Sequence, residues 1–357
     1  MTTVMRVGGP APYDVVIGPG TTTSVPDMIS EAGRAAVIAD PTVRGHATRI
    51  AEQLAATGID VDVLDVPAGE AAKSLATVAR LWDELGDLRL TRNDAIVAVG
   101  GGATTDVAGF VAATWLRGIR VVQAPTTLLA MVDAAIGGKT GINTAAGKNL
   151  VGSFHPPAGV VVDLDVLTTL PAEQWVNGMA EVLKVGFIAD PAILELVEAD
   201  LAAATVPTGA AARELIERAI AMKVDVVSRD LKEAGPREML NYGHTLGHAV
   251  ERLEGYRIPH GHAVSIGMVF AAGLGKAAGL IDGETLMRHQ VLLTATGLPT
   301  SYRSDALPDL IELMRIDKKA RGDKLRFVVL KGLAHPVILE DPAASMLDAA
   351  YREVCRR

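Results

Sequence analysis

The stretch AIVAVGGGATTDVAGF, residues 95–110, decides how the first part of the chain folds. It opens on AIVAV, a strand-length apolar run containing β-branched residues, turns through Gly100, Gly101 and Gly102, and passes into VAGFVAATWLRG (107–118), where the pattern suggests a helix. The same alternation recurs on both sides. YDVVIG (13–18), AAVIAD (35–40), VDVLDV (61–66) and RVVQAP (120–125) have strand character. ATRIAEQLAATG (47–58) and SLATVARLWDELGDL (74–88) space their apolar residues as helices do. Strands alternating with helices predict βαβ units and a parallel, Rossmann-like sheet. In such a sheet a glycine turn lets the backbone approach a phosphate, and the helix N-terminus that follows favours an anion. GGGATTD is not GxGxxG, however, and a tight βα turn needs glycine too, so nucleotide binding and a purely structural turn both stay open for this stretch alone.

After about residue 170 the strand signals thin out. LPAEQWVNGMAEVLKVGFIAD (170–190), AARELIERAIAMKVDVVSRD (211–230), TLGHAVERLEG (245–255) and HAVSIGMVFAAGLGKAAGL (262–280) read as helices, and LRFVVLKG (325–332) is the main exception, a hairpin or edge strand. The fold class is therefore an α/β Rossmann-like N-terminal domain, 1–170, followed by a mostly α-helical C-terminal domain, 171–357. The interface of two such domains is the expected place for a site.

The bulk composition narrows the function. With 357 residues, 49% hydrophobic and 21% charged, the chain has material for two soluble cores. A formal net charge of −8 argues against general nucleic-acid or anionic-membrane binding, although a pocket can be locally basic. Cys355 is the lone cysteine, which rules out an internal disulfide or a cysteine zinc site and fits a reducing cytoplasm. The N-terminal MTTVMRVGGPAPYD lacks a signal-peptide core, and the 262–280 run, with a His, a Lys and four glycines, reads as a buried core helix rather than a membrane span.

Several segments carry chemistry. PTTLLAMVDAAIGGKTGINTAAGKN (125–149) sets Thr126, Thr127, Asp133, Lys139, Asn143, Lys148 and Asn149 among small residues, as either an anion-binding loop or a polar surface loop. MAEVLKVGFI (179–188) places Glu181 and Lys184 three apart, a spacing that by itself suits a surface ion pair. AMKVDVV and PREMLNYGHTLGH bring Lys223, Arg237, Asn241, His244 and His248; the last four are spaced by four or three, so a continuous helix would stack them on one face. Gly243 and Gly247 thin that segment as a close ligand would require. HTLGH lacks the glutamate of HExxH, which disfavours a zinc protease. HGHAVSIGM adds His260, and one carboxylate with two imidazoles from three segments, Glu181, His244 and His260, makes a candidate open zinc site. MRIDKKARGDKLRF (314–327) holds Asp317, Lys318 and Lys319 in what reads as a polar, solvated turn.

In series, GGG…D, PTTLLAMVDAAIGGKTGIN, GKN, MAEVLK, R…LNYGHTLGH, HG and DKK resemble the 3-dehydroquinate synthase family of sugar-phosphate cyclases, from roughly Asp40 to Arg326. The resemblance implies bound NAD, a zinc ion with cobalt as a substitute, and a cytoplasmic homodimer. It implies NAD contacts at Asp40, Glu70, Lys73, Gly101, Gly102, Asp106, Thr126 and Thr127, with Asp133, Lys139 and Lys148 shared with the substrate. It implies metal ligands at Glu181, His244 and His260, matching the triad above. The substrate pocket would take Asp133, Lys139, Lys148, Asn149, Lys184, Lys223, Arg237, Asn241 and His248. Arg117 and Lys318 would help hold the phosphate, Arg117 from the neighbouring subunit.

The implied reaction is that of a phosphate-eliminating carbon–oxygen lyase of the shikimate pathway. A seven-carbon keto-acid phosphate is oxidised at C5, loses phosphate, is reduced again and closes by an intramolecular aldol step. The substrate's phosphate and carboxylate account for basic motifs in an acidic protein. A cyclase acting on a heptulose or hexose phosphate is the nearest alternative, against which Arg237 argues because a guanidinium in the pocket calls for an anion. A metal-dependent oxidoreductase like glycerol dehydrogenase is another, in which an aspartate would be expected at position 181. A catalytically inactive binding protein is disfavoured because the whole Lys/Arg/His set is kept. The chain departs from the family's usual pattern at Thr104 and Thr105 in the glycine turn, and at His262, which reads as a bystander.

Overall fold

β5 (Ala95–Gly100) is buried along its whole length, and its alternating side chains explain why. Ile96 and Ala98 enter one apolar core, whereas Ala95, Val97 and Val99 enter a second on the opposite face of the sheet. β3 (Arg34–Ala39) divides in the same way, Ala36 and Ile38 to one side and Ala35, Val37 and Ala39 to the other. Strands covered on both faces read as unbroken apolar runs, and parallel sheets are built from them. The computed structural model describes residues 1–233, 235–318 and 324–355 and divides into two units, Met1–Pro171 with Lys223–Lys232, and Ala172–Met222 with Glu233–Arg357. The segment Lys223–Lys232 thus counts with the first unit, where a single cut at residue 170 puts it in the second.

In the first unit β1 (Thr3–Val7), β2 (Tyr13–Gly18), β4 (Asp60–Asp65), β6 (Arg120–Pro125) and β9 (Gly159–Asp163) complete a seven-stranded sheet of order β1-β2-β9-β6-β5-β3-β4. All neighbours pair in parallel except β1 with β2. The helices of this unit are α1 (Val25–Met28), α2 (Arg44–Ala56), α3 (Leu75–Asp87) and α4 (Gly102–Thr114). α2 fills one core with Ala47, Ile50 and Leu54, and α3 and α4 fill the other with residues such as Val78, Leu81 and Val107.

The polar stretch after β6 is not a loop. Ala130–Ala134 forms a π-helical turn, and β7 (Lys139–Thr144) pairs antiparallel with β8 (Gly147–Phe154) in a separate hairpin. Close backbone packing uses its glycines: a Cβ on Gly152 would lie 2.1 Å from the Thr140 carbonyl oxygen. α4 also stops earlier than its apolar pattern suggests, because Leu116 and Arg117 take φ of 48° and 68°.

The second unit is largely helical: α5 (Ala172–Ile188), α6 (Ala192–Ala199), α7 (Leu201–Ala204), α8 (Ala212–Arg229, entering the first unit from Lys223), α9 (His244–Leu253), α10 (His260–Ala277), α11 (Gly283–Ala295), α12 (Leu307–Lys318) and α13 (Ala344–Arg352). α10 is the buried core helix, with every residue from Ala263 through Gly275 buried. The late apolar run is a hairpin of β10 (Arg326–Leu330) with β11 (Pro336–Glu340). No helix among the described residues is long and apolar enough to cross a membrane.

Two expectations change here. Residues 237–248 are not one helix: a 3-10 turn, Pro236–Asn241, carries Arg237 and Asn241, and Gly243 at φ 80° breaks the chain before α9 begins at His244. The residues before and after that break therefore do not share one helical face. Lys318 closes α12 rather than sitting in a solvated turn; its side chain and Lys319 lie outside the described residues.

Candidate active site

His244 and His260 are each the first residue of a helix, α9 and α10. Gly243 supplies the left-handed conformation that starts α9, and Pro259, fixed near φ −59°, supplies the entry to α10. Glu181 comes from the buried middle of α5. Its Oε1 lies 3.5 Å from His244 Nε2 and 3.8 Å from His260 Nε2. One donor atom from each of the three residues falls within 4.8 Å of the other two. Its second oxygen accepts from Lys184 Nζ, so this pair is a buried contact and not a surface ion pair.

Glu181 is 2% exposed, and its Oε1 is a buried atom that no hydrogen-bond donor reaches among the described residues. A carboxylate oxygen so placed carries a large desolvation penalty unless a donor or cation meets it. A divalent cation between Oε1 and the two Nε2 atoms would answer that need. One carboxylate with two imidazoles leaves a further coordination position open, as catalytic zinc sites do. Burial, and then the Lys184 ammonium, hold the His244 imidazole well below its ordinary pKa, which keeps it neutral and able to ligate. The three residues fit a zinc-type ion.

Behind this cluster stand side chains that the sequence pattern did not single out. His244 Nδ1 donates to the Tyr242 carbonyl at 3.1 Å, and His260 Nδ1 meets Glu251 Oε2 at 3.2 Å. The Tyr242 hydroxyl bonds His289 Nε2 at 2.9 Å, His289 Nδ1 donates to the Thr285 carbonyl at 2.7 Å, and Phe187 stacks on the His289 ring. Glu251 had a visible signal, since seven residues along a helix from His244 is the same face two turns on. Tyr242 and His289 had none, because only tertiary packing brings them together.

The remaining candidates of this unit are arranged around those elements. Arg237 is fully buried on its 3-10 turn, and Asn241 Nδ2 donates to Glu233 Oε1 at 2.8 Å. His248 is exposed one turn beyond His244, with ring centroids 5.3 Å apart. His262 is half-buried and belongs to neither cluster of possible metal-binding side chains.

The first unit gathers the other candidates. Gly101 is the N-cap of α4 with no side-chain cap, so the first-turn N–H groups lack a capping side chain. A Cβ on Gly101 would lie 3.3 Å from Thr127 Cγ2, and one on Gly102 would lie 3.2 Å from Ala134 Cβ. This narrow turn at the carboxyl end of a parallel strand suits the pyrophosphate of a dinucleotide. Thr126 N donates to the Gly100 carbonyl at 2.9 Å, and Thr127 Oγ1 accepts from Ala130 N at 3.2 Å. Thr104 and Thr105 are both buried, Thr104 against Gly100 and Thr105 with its hydroxyl on the Gly102 carbonyl at 2.9 Å.

Lys73 is buried between Asp106, at 2.6 Å, and Asn149. Glu70 accepts from Asn143 Nδ2 at 2.7 Å and lies 3.7 Å from Lys148. Asp133, in the π-helical turn, pairs with Lys223. Asp40 caps the turn Pro41–Val43 through Thr42 N at 2.9 Å, and Lys139 opens β7 on the exposed side. Arg117 is exposed in the strained turn after α4.

Residues 63–177 match the model of the 3-dehydroquinate synthase N-terminal domain, and residues 178–320 match that of the 3-dehydroquinate synthase C-terminal domain. The chain belongs to the 3-dehydroquinate synthase family. A 3-dehydroquinate synthase of Thermobifida fusca is 59% identical over 99% of this chain and 96% of its own. Among solved structures, a 2-deoxy-scyllo-inosose synthase complexed with carbaglucose-6-phosphate, NAD+ and Co2+ superposes with a TM-score of 0.88 at 29% identity, covering 98% of this chain and 100% of that one. The 2-epi-5-epi-valiolone synthase of Streptomyces hygroscopicus, with NAD+ and Zn2+ bound, superposes with a TM-score of 0.89 at 27% identity, covering 96% of each chain. The 3-dehydroquinate synthase family thus shares its fold with cyclases whose structures hold a dinucleotide and a divalent metal.

Proposed function

We propose that the protein is a 3-dehydroquinate synthase that converts 3-deoxy-D-arabino-heptulosonate 7-phosphate to 3-dehydroquinate and phosphate, with NAD and a zinc or cobalt ion bound. The observation that carries this is the meeting of Glu181, His244 and His260 about a buried carboxylate oxygen without a donor, in a chain of this family. The bound groups supply hydride acceptance and return at C5 and polarisation of the C5 oxygen, which acidifies the C6 proton. The first domain is assigned to the dinucleotide, with Asp40, Glu70, Lys73, Gly101, Gly102, Asp106, Thr126 and Thr127 as its contacts. The second is assigned to the metal and much of the substrate.

The substrate is a dianionic phosphate joined to a carboxylate, so its binding needs cations and donors more than strong bases. Arg237 offers a planar fork to the carboxylate. Lys184 places an ammonium beside Glu181, next to where charge develops. Asn241, set by Glu233, and His248 take polar contacts towards the phosphate end. Asp133, Lys139, Lys148, Asn149 and Lys223 complete the polar set. Elimination then needs only a proton acceptor at C6, a role the leaving phosphate can fill. Ring opening and aldol closure follow without a further covalent partner from the protein.

Lys318 and Arg117 are assigned to the phosphate, Arg117 from the neighbouring subunit of a homodimer in the cytoplasm. Leu116 and Phe154, 40% and 42% exposed, support an interface at that place. His155, next to Phe154, bonds the Ile119 carbonyl just past the Arg117 turn at 2.8 Å. Purified protein with NAD and zinc, offered the seven-carbon keto-acid phosphate, should release phosphate and form the carbocycle. No release overturns the proposal, and release only from a heptulose phosphate lacking the carboxylate assigns the chain to the other cyclases.

A further inference from the structure

The two imidazoles that flank Glu181 are held at Nδ1 by different kinds of acceptor. His244 donates to a main-chain carbonyl, that of Tyr242, which is neutral and present whatever the side chain. His260 instead faces Oε2 of Glu251 at 3.2 Å, a carboxylate on a residue only 3% exposed. In both rings Nε2 is the nitrogen near Glu181 Oε1. A ring that carries its proton on Nδ1 presents a lone pair at Nε2, and this tautomer alone can ligate a metal there.

We propose that Glu251 is a positioning residue for metal binding: it holds the proton of His260 on Nδ1 and orients the ring so that Nε2 faces Glu181. The proposal rests on the metal reading above. Three features favour it. Glu251 sits two turns along α9 from His244, so one helix carries a ligand at its start and the outer carboxylate of the other ligand in its body. A carboxylate is kept in a nearly inaccessible place only where something there repays its desolvation, and His260 Nδ1–H is a suitable donor. Finally, a carboxylate acceptor makes the imidazole a stronger donor to a cation than a carbonyl does. His248, Glu251 and His260 also lie within 4.8 Å of one another. A second ion there would require His260 Nδ1 to lose its proton to metal, whereas the 3.2 Å separation is that of a hydrogen bond.

The test is metal-free protein titrated with zinc against a chromophoric chelator, for the parent, Glu251→Gln and Glu251→Asp, with the thermal midpoint of each metal-free form as the control for folding. The parent should take one zinc per chain. Glu251→Gln, which keeps the shape and removes the charge, should weaken the Kd about 10- to 100-fold with an unchanged metal-free midpoint. Glu251→Asp, which keeps the charge and withdraws it, should also lose affinity and serves if the glutamine variant does not fold. In a His260→Ala protein, adding Glu251→Gln should change the Kd by less than about twofold, because the partner it acts through is gone. Parent affinity in both Glu251 variants overturns the proposal, as does a full-sized loss in the His260→Ala background or two zinc ions per parent chain. A parent that binds no zinc removes the metal reading itself, which separates that failure from this one.

Discussion

His289 is a buried base with no solvent to accept a charge. Burial, opposed in part by the bond to the Thr285 carbonyl and helped a little by Arg288, brings its pKa from 6.5 down to about 4. In the unfolded chain the ring takes its proton near 6.5, and in the folded chain only near 4. Its contribution is therefore complete above pH 6.5 and is lost as pH falls towards 4, by an amount of roughly 3 kcal/mol in total. His289→Gln, whose amide oxygen can accept from Tyr242, should show a shallower fall in thermal midpoint across that window than the parent; parallel curves would refute the assignment. At the metal cluster, Glu181→Gln should lose zinc and phosphate release together, measured by metal content and by the assay above, because an amide is a poor zinc ligand in place of a carboxylate. Full zinc content with activity gone would mean that other side chains hold the ion. The residue types for a metal site were legible in the sequence, since one glutamate and two histidines stand out in apolar or glycine-rich segments. The parts of Tyr242, Glu251 and His289 are not legible there: the first two act through the ring Nδ1 atoms they meet and His289 through the Tyr242 hydroxyl, and those contacts are tertiary facts.

α9 and α10 bring His244 and His260 together because glycine lets the two helices approach. A Cβ on Gly267 would lie 1.9 Å from the Gly243 carbonyl oxygen, and one on Gly247 would lie 3.2 Å from the Ala263 carbonyl oxygen. In sequence, Gly243 and Gly247 suggest room for a ligand; in the structure the space is taken by the backbone of α10. Gly243 has a second constraint, φ 80°, and its Cβ would meet Met268 N at 2.8 Å. Gly243→Ala should therefore cost about 3 kcal/mol or more in denaturant unfolding, combining left-handed strain with overlap against fixed backbone. It should also weaken zinc binding by displacing the start of α9, and a variant of parental stability would show that this helix start is not constrained. The parallel sheet was readable for the opposite reason: strands such as β5, buried on both faces, leave unbroken apolar runs. β9, GVVVD, breaks the strand–helix alternation and is hard to read from it, because it follows a hairpin and not a crossover helix. In sequence β7 and β8 read as a loop, since their pairing rests on main-chain bonds and glycine, and β8 leaves Leu150, Val151 and Phe154 exposed.

At the scale of the whole molecule, a chain of net charge −8 must attract a substrate with several negative charges, so its cations have to be concentrated where that substrate binds. Arg117 is set apart from the other candidates by its surroundings. It is exposed and held at φ 68° in a turn beside Leu116, an apolar side chain at φ 48° that is itself exposed. A strained, solvent-facing arginine contributes little to its own chain, whereas in a two-fold dimer the same turn can be presented to the partner's substrate. If so, each active site uses Glu181 of one subunit and Arg117 of the other. Arg117→Ala and Glu181→Gln homodimers should then each be nearly inactive. A mixture reassembled or co-expressed at equal amounts should recover about a quarter of the parental activity, because half the dimers are mixed and each of these keeps one of its two sites intact. If Arg117 served its own subunit, a mixed dimer would have one defect in each site, and the mixture would stay as inactive as its components. Size-exclusion chromatography with light scattering on both variants supplies the control, since a monomeric Arg117→Ala protein would assign the residue to assembly instead of to the phosphate.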